Sequence, residues 1–248
     1  MEQNGTTICT KPLIIGFSGK IGCGKSTVCA IVERLLKERM GLKVETISFG
    51  TILKQKVAEA FRFPLDCCYS TEGKSKYVKF TQDHYVLEET HVTQEFVSYK
   101  KQLSIIPHIK GMTVRQLLQW WGTEVARRHD PHYWVKAWKQ TARRSNADVI
   151  LVDDVRFPNE VYAIRGGDSF GGVFRLNPYD GWDYASNHES ETALDNYAFG
   201  EYWTLNPERG LAFLQALAWS IFHDIHTQGL QARITAMREQ EGIYGFEI

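Results

Sequence analysis

Gly19-Lys20-Ile21-Gly22-Cys23-Gly24-Lys25-Ser26 is a complete G-x-x-x-x-G-K-[ST] sequence, and its flanks decide how the rest of the chain is read. Before it, Leu13 to Phe17 is an apolar run that reads as a buried strand. After it, from Thr27 onwards, Val28, Ile31, Val32 and Leu35 recur at helical spacing. A strand, a glycine-rich turn and a helix are the context that a phosphate-binding loop requires. Glycines at 19, 22 and 24 let successive backbone N–H groups point inward at phosphate oxygens, and the helix adds its positive N-terminal end. Lys20 and Cys23 belong to the same turn. Lys25 is expected to bring a mobile point charge to the β and γ phosphates, and the Ser26 hydroxyl to ligate Mg²⁺, with Thr27 as a reserve hydroxyl. Cys23 lies next to the helix-end charge, which favours a thiolate; a small filler of the turn is the alternative. Such a chain binds a nucleoside triphosphate.

With 248 residues and 43% hydrophobic content, the chain can bury a full core, and one domain with insertions fits better than two independent ones. Lys plus Arg and Asp plus Glu both total 29, so no global field points to nucleic acid or a membrane as partner. Phosphate recognition has to be local, toward small-molecule nucleotides. Met1 to Lys11 lacks the apolar core of a signal peptide and no apolar run approaches a membrane span, so a cytoplasmic location is expected. The five cysteines, at 9, 23, 29, 67 and 68, form no C-x-x-C pair and read as reduced thiols. The eight histidines are scattered, with His223-Asp224-Ile225-His226 expected along the exposed side of a late helix, and no structural metal is expected.

Lys43 to Phe49 reads as a second strand and Ile52 to Phe61 as a helix, a β-α-β-α start. Residues 62 to 111 change character, with Pro64, Cys67-Cys68, Gly73, Pro107 and Gly111, and read as an insertion on the core. Thr113 to His129 is expected to be a helix capped by Thr113, and Pro131 to open another with Trp134, Val135 and Trp138 buried. Val149 to Val152 reads as a strand ending in Asp153-Asp154, and Gly171 to Leu176 as the next, continuing a parallel sheet. Residues 177 to 200 exceed the roughly 12 to 15 residues of an ordinary connection, so they are expected to be a functional element, and in an enzyme that must keep water from a donor phosphate they would be its lid. A last strand at Tyr202 to Leu205 and a helix from Pro207 to about residue 227 complete the pattern. The expected core therefore covers about 12–61, 112–176 and 201–228, within a single α/β domain whose parallel sheet is flanked by helices.

Among triphosphate binders, a GTP switch should carry N-K-x-D, which this chain lacks. A motor draws arginines from partners, whereas Arg115, Arg127, Arg128, Arg156 and Arg175 are supplied here in one chain. A kinase is the favoured class. Arg115 and Gln119, four residues apart on one helix, share a face and suit an acceptor with a phosphate at one end and a base at the other. Taken alone, such a pair reads as a solvated face.

The run Arg115-Gln116-Leu117-Leu118-Gln119-Trp120-Trp121-Gly122-Thr123-Glu124, followed by Asp130-Pro131-His132-Tyr133-Trp134-Val135, resembles the phage deoxynucleoside monophosphate kinases. Ser48-Phe49-Gly50 with Lys54, Val152 to Glu160 around Asp153-Asp154 and Arg156, His188-Glu189-Ser190-Glu191, and Asn206 follow in the same order; residues 62 to 111 match poorly. The resemblance implies an adenylate-kinase-like fold with an acceptor-binding insertion and a lid. It also implies that ATP, with Mg²⁺, phosphorylates a deoxynucleoside monophosphate for DNA precursor synthesis, in the host cytoplasm if the chain is viral. By match, Lys25, Arg156 and Arg175 would surround the transferring phosphoryl group, and Asp154 would ligate a water of Mg²⁺ or anchor an arginine. Asp153 has helix capping as its alternative. Arg115 would hold the acceptor phosphate, with Lys54, Arg127 and Arg128 as further phosphate contacts. Asn206 would lie near the donor base, and His188 and Glu191 in the lid. A homodimer is left open.

A phosphate monoester has a second pKa of about 6, so its attacking oxygen is already anionic at neutral pH and needs no general base. An alcohol acceptor, as in dephospho-coenzyme A or shikimate kinases, would need one. That class, and a nucleotide-gated binding protein with weak ATPase activity, are the alternatives.

Overall fold

The computed structural model describes residues 12–79, 111–166, 171–178, 188–199, 204–205 and 210–227. Along the chain these form β1 (Leu13–Gly19), α1 (Lys25–Met40), β2 (Val44–Thr46), α2 (Phe49–Ala60), a 3₁₀ turn (Leu65–Cys68), α3 (Thr71–Ser75), β3 (Tyr77–Lys79) and β4 (Gly111–Thr113). They continue through α4 (Val114–Trp120), a π-helical segment (Trp121–Arg127), α5 (Tyr133–Arg144), β5 (Val149–Val155), α6 (Pro158–Arg165), β6 (Gly171–Leu176), α7 (Glu189–Thr192), β7 (Thr204–Leu205) and α8 (Leu211–His226). Two compact units result, one of Met1–Ser48 with Trp138–Ile248 and the other of Phe49–Ala137.

The first unit is built on a sheet of order β2-β5-β1-β6-β7 in which every pairing is parallel. Strands covered on both faces are apolar over most of their length, and here Ile14, Ile15 and Phe17 of β1 and Ile150, Leu151 and Val152 of β5 are all buried, the polar Ser18, Asp153 and Asp154 falling toward the carboxyl ends. The chain leaves β1, crosses through α1 to β2, and later inserts β5 between them. The glycine-rich turn consequently lies at the carboxyl end of a central strand, where open α/β sheets bind ligands. α1 buries Val28, Cys29, Val32, Leu35 and Leu36, and stops at Gly41, whose positive φ of 66° allows its N–H to reach back to the Leu36 and Lys37 carbonyls. α8 packs against α1 and buries Ala218, Ile221, Phe222 and, against expectation, Ile225, leaving His223 and His226 exposed as expected.

β2 is shorter than the sequence suggests. Ile47 N–H still donates to the Leu151 carbonyl (2.9 Å), but the Ile47 carbonyl accepts from the buried Trp138 indole (2.8 Å). With that oxygen diverted the ladder ends, and α2 begins at Phe49.

The second unit has its own core of Val57, Phe61, Cys68, Val114, Leu117, Trp121, Val125 and Trp134. Phe61 meets Trp121 edge to face at 5.4 Å. Thr113 caps α4 as expected, its hydroxyl accepting from Gln116 N–H while the Gln116 side chain accepts from Thr113 N–H. The helix expected over 113–129 runs on through the π-helical turn, where the Gly122 carbonyl accepts from the Trp134 indole at 3.0 Å. β3 and β4 pair antiparallel. No helix among the described residues is long and apolar enough to cross a membrane.

Candidate functional site

The phosphate loop is shaped by positions that only glycine can fill. At Gly19, with φ of 145°, a Cβ would stand 2.4 Å from the Leu176 carbonyl oxygen and 2.6 Å from Cys23 Sγ. Gly24 leads into α1 with φ of 96°, and a Cβ there would meet Leu214 of α8 at 2.8 Å. Cys23 is buried beneath the turn, its sulfur 3.8 Å from Lys25 Nζ.

Lys25 differs from the mobile charge expected of it. It is only 7% exposed, and its ammonium donates to the Gly19 carbonyl at 2.8 Å and the Lys20 carbonyl at 2.6 Å, bracing the loop from within. Burial pulls its pKa below the ordinary value; the positive charges of Arg156 and Arg175 push the same way, while Cys23 and Glu191 oppose.

Ser26 and Thr27 are exposed at the start of α1. Ser26 Oγ donates to Asp153 Oδ2 at 3.2 Å, and Ser48 Oγ donates to Asp153 Oδ1 at 2.5 Å. The hydroxyl expected at a metal is therefore tied to Asp153. Successive residues of a strand point to opposite faces, so the two aspartates do not share a position. The role of Ser48, visible in sequence only as part of a motif, is to hold that carboxylate.

Two arginines stand close enough to Lys25 for their charges to bear on it. Arg156 follows β5, where the Glu160 carboxylate of α6 accepts from the N–H groups of Arg156 (2.6 Å) and Phe157 (3.1 Å) and so fixes the turn. Its guanidinium donates to the Ser190 carbonyl at 3.2 Å and pairs with the Glu191 carboxylate. Arg175 of β6 is 8% exposed, donates to Ser18 Oγ at 3.1 Å and to Asp195 Oδ1 at 3.3 Å, and lies over the Phe199 ring at 5.8 Å. Burial lowers its pKa as well.

Residues 188–199 of the expected lid contribute the counter-charges. His188 caps α7 through Nδ1, which accepts from Ser190 N–H at 3.2 Å. Glu191 is buried and accepts from Ile21 N–H at 3.0 Å, and Asp195 pairs with Lys20 at 2.5 Å. Sequence reasoning missed Ser18, Asp153's hydrogen bonds and Asp195, because none of their partners is near in sequence. Asn206 and residues 179–187 of the lid lie outside the described residues, as do 80–110 of the insertion.

The remaining candidates belong to the second unit. Arg115 and Gln119 are half-buried on α4, so they are not on a fully solvated face. Lys54 Nζ lies 4.8 Å from the centre of the Tyr69 ring, Arg127 donates to the Pro131 carbonyl (3.4 Å), and Arg128 is exposed. Among the described residues, no group of three or more His, Cys, Asp or Glu could hold a metal ion by itself.

Residues 51–174, half of the chain, match the model of a family described as deoxynucleotide monophosphate kinase. The match takes in Lys54, Arg115, Gln119, Asp153, Asp154 and Arg156, while the phosphate loop, Arg175 and Glu191 lie outside it. No curated protein matches the chain.

Proposed function

This chain belongs to the deoxynucleotide monophosphate kinase family, and from that premise we propose that it transfers the terminal phosphoryl group of ATP to a deoxynucleoside 5′-monophosphate, with Mg²⁺, giving ADP and the deoxynucleoside diphosphate. One observation carries the reading beyond the family. Lys25, Arg156 and Arg175, two of them buried, gather around a glycine-rich turn at the end of a central strand, where the charges of both arginines help to lower the Lys25 pKa. Cations held together at that cost have use for a multiply charged anion.

The loop glycines and the N-terminus of α1 would receive the donor phosphates, with Lys25 at the β and γ positions. The oxygen donors present fit Mg²⁺: the exposed Ser26 hydroxyl is already oriented by the Asp153 carboxylate, and a hard cation of this kind typically takes one or two such groups together with substrate phosphates. When bound, the ion would offset charge on the phosphoryl oxygens. The bond from Ser26 supports Asp153 over Asp154 as the carboxylate on the metal side. Arg156 and Arg175 would meet charge on the transferring group. The acceptor brings an anionic oxygen, so positioning suffices and no base is required. Asp153 agrees with this, since each of its oxygens accepts from a serine, which suits an anchor better than a proton acceptor. Arg115 would hold the acceptor phosphate, Gln119 would read the base, and residues 177 to 200 would exclude water.

Coupled measurement of ADP release with each deoxynucleoside monophosphate, each ribonucleoside monophosphate and no acceptor tests the proposal. Acceptor-dependent release is expected; equal release without acceptor would sink it.

A further inference from the structure

Two carboxylates of the 188–199 segment each join one group of the phosphate loop to one arginine. Glu191 takes Ile21 N–H on Oε2 at 3.0 Å and the Arg156 guanidinium on Oε1. Asp195 takes Lys20 Nζ at 2.5 Å from both of its oxygens, and Arg175 Nη2 on Oδ1 at 3.3 Å. Lys20 Nζ also donates to the Glu191 carbonyl at 2.6 Å, which ties the two bridges together. A carboxylate with a backbone N–H on one oxygen and a guanidinium on the other is fixed from both sides, and so fixes the guanidinium. Negative charge here would only repel a triphosphate, so its presence among the cations calls for a role other than binding the anion.

We propose that Glu191 is a positioning residue that sets Arg156 against the shoulder of the phosphate loop, with Asp195 doing the same for Arg175. Glu191 is 8% exposed and holds the tighter bridge; Asp195, at 39% side-chain exposure, holds the looser one. Without Glu191 the Arg156 guanidinium keeps its charge and loses its place. Arg156 acts on the transferring phosphoryl group only if the kinase reading above is right, whereas the coupling of Glu191 to Arg156 does not depend on it.

A double-mutant cycle separates the two. Wild-type protein, Glu191→Gln, Arg156→Ala and the double variant are compared for kcat of ADP formation at saturating acceptor, for KM of ATP, and for MgATP dissociation constant by calorimetry. Glutamine preserves size and an acceptor oxygen but not the negative charge that faces the guanidinium. The expected result is a kcat about tenfold lower in Glu191→Gln with KM for ATP changed less than about threefold. The double variant should fall no more than about twofold below Arg156→Ala alone. An unchanged kcat in Glu191→Gln, or a double variant whose loss is the product of the single losses, overturns the proposal. If no monophosphate stimulates ADP release by the wild type, the kinase reading fails and the dissociation constants decide the coupling. Glu191→Gln should then shift MgATP affinity by about threefold or more where Arg156 is present and by less than about twofold where it is absent. Equal shifts in both backgrounds overturn it. Should Glu191→Gln fail to fold by circular dichroism, the same cycle with Asp195→Asn and Arg175→Lys decides on the second bridge.

Discussion

Replacing Asp153 by asparagine tests how the metal side of the site is built. The carboxylate accepts from Ser26 at 3.2 Å and from Ser48 at 2.5 Å. Hydrogen bonds to a charged group contribute about 1.5–3 kcal/mol each. The Ser26 contact is exposed and long, so it belongs near the bottom of that range, while the shorter, partly buried Ser48 contact belongs higher. Asparagine retains one acceptor oxygen, so the substitution removes roughly one charge-assisted bond together with the negative charge beside the proposed Mg²⁺ position. At about 1.4 kcal/mol per factor of ten, a loss of about 1.5–3 kcal/mol from the transition state corresponds to a kcat lower by roughly 10- to 150-fold. Asp154→Asn leaves both serine bonds to Asp153 in place, so it should lower kcat less than Asp153→Asn does. Initial rates of ADP formation against total Mg²⁺ at fixed ATP distinguish the two variants: Asp153→Asn should both lower the plateau and raise the Mg²⁺ needed to reach half of it. A larger effect from Asp154→Asn, or an Asp153→Asn enzyme with an unchanged plateau and Mg²⁺ requirement, would refute the assignment.

Burial holds the Lys25 pKa below its ordinary 10.5, so between the lowered folded value and 10.5 the unfolded chain keeps a proton that the folded chain has shed. Stability of the nucleotide-free protein should therefore rise with pH through that window and level off above it. The melting-temperature difference between wild type and Lys25→Met, followed from about pH 7 to about 11, should move in favour of the wild type, and a flat difference would contradict this. Gly24→Ala forces a Cβ onto a φ of 96° and into Leu214 at 2.8 Å, and should cost about 1–3 kcal/mol in denaturant unfolding. Loss of less than about 0.5 kcal/mol would mean that loop and α8 adjust freely. Arg115→Ala should raise acceptor KM at least about tenfold with kcat changed less, as expected when ground-state binding is removed; an unchanged KM would remove Arg115 from the acceptor site.

Much of the fold was legible because its signals are local. The apolar run of β1, the helical spacing of α1, the Thr113 cap and the Trp134, Val135 and Trp138 stripe were each read within a few residues, and each element formed. Where the reading drifted, a distant partner was responsible: β2 ends early because a Trp138 indole, far along the chain, takes the Ile47 carbonyl. Asp195 carried no local signal at all. It lies beyond the end of α7 and matters only because folding brings Lys20 and Arg175 to it.

By itself the sequence determined the phosphate loop, the parallel α/β order and the pair Arg115 and Gln119 on one helix, since glycine geometry, hydrophobic period and helical spacing act over one turn or one strand. Tertiary structure decided the rest. It placed the Ser26 hydroxyl on Asp153, turned Lys25 inward onto the loop carbonyls, and set a carboxylate against each arginine. Of the four contacts made by the two bridging carboxylates, the two to the phosphate loop join residues more than a hundred positions apart in the chain. Only closure of the sheet brings such groups within hydrogen-bonding distance, and no periodicity in the chain encodes which oxygen each donor will find.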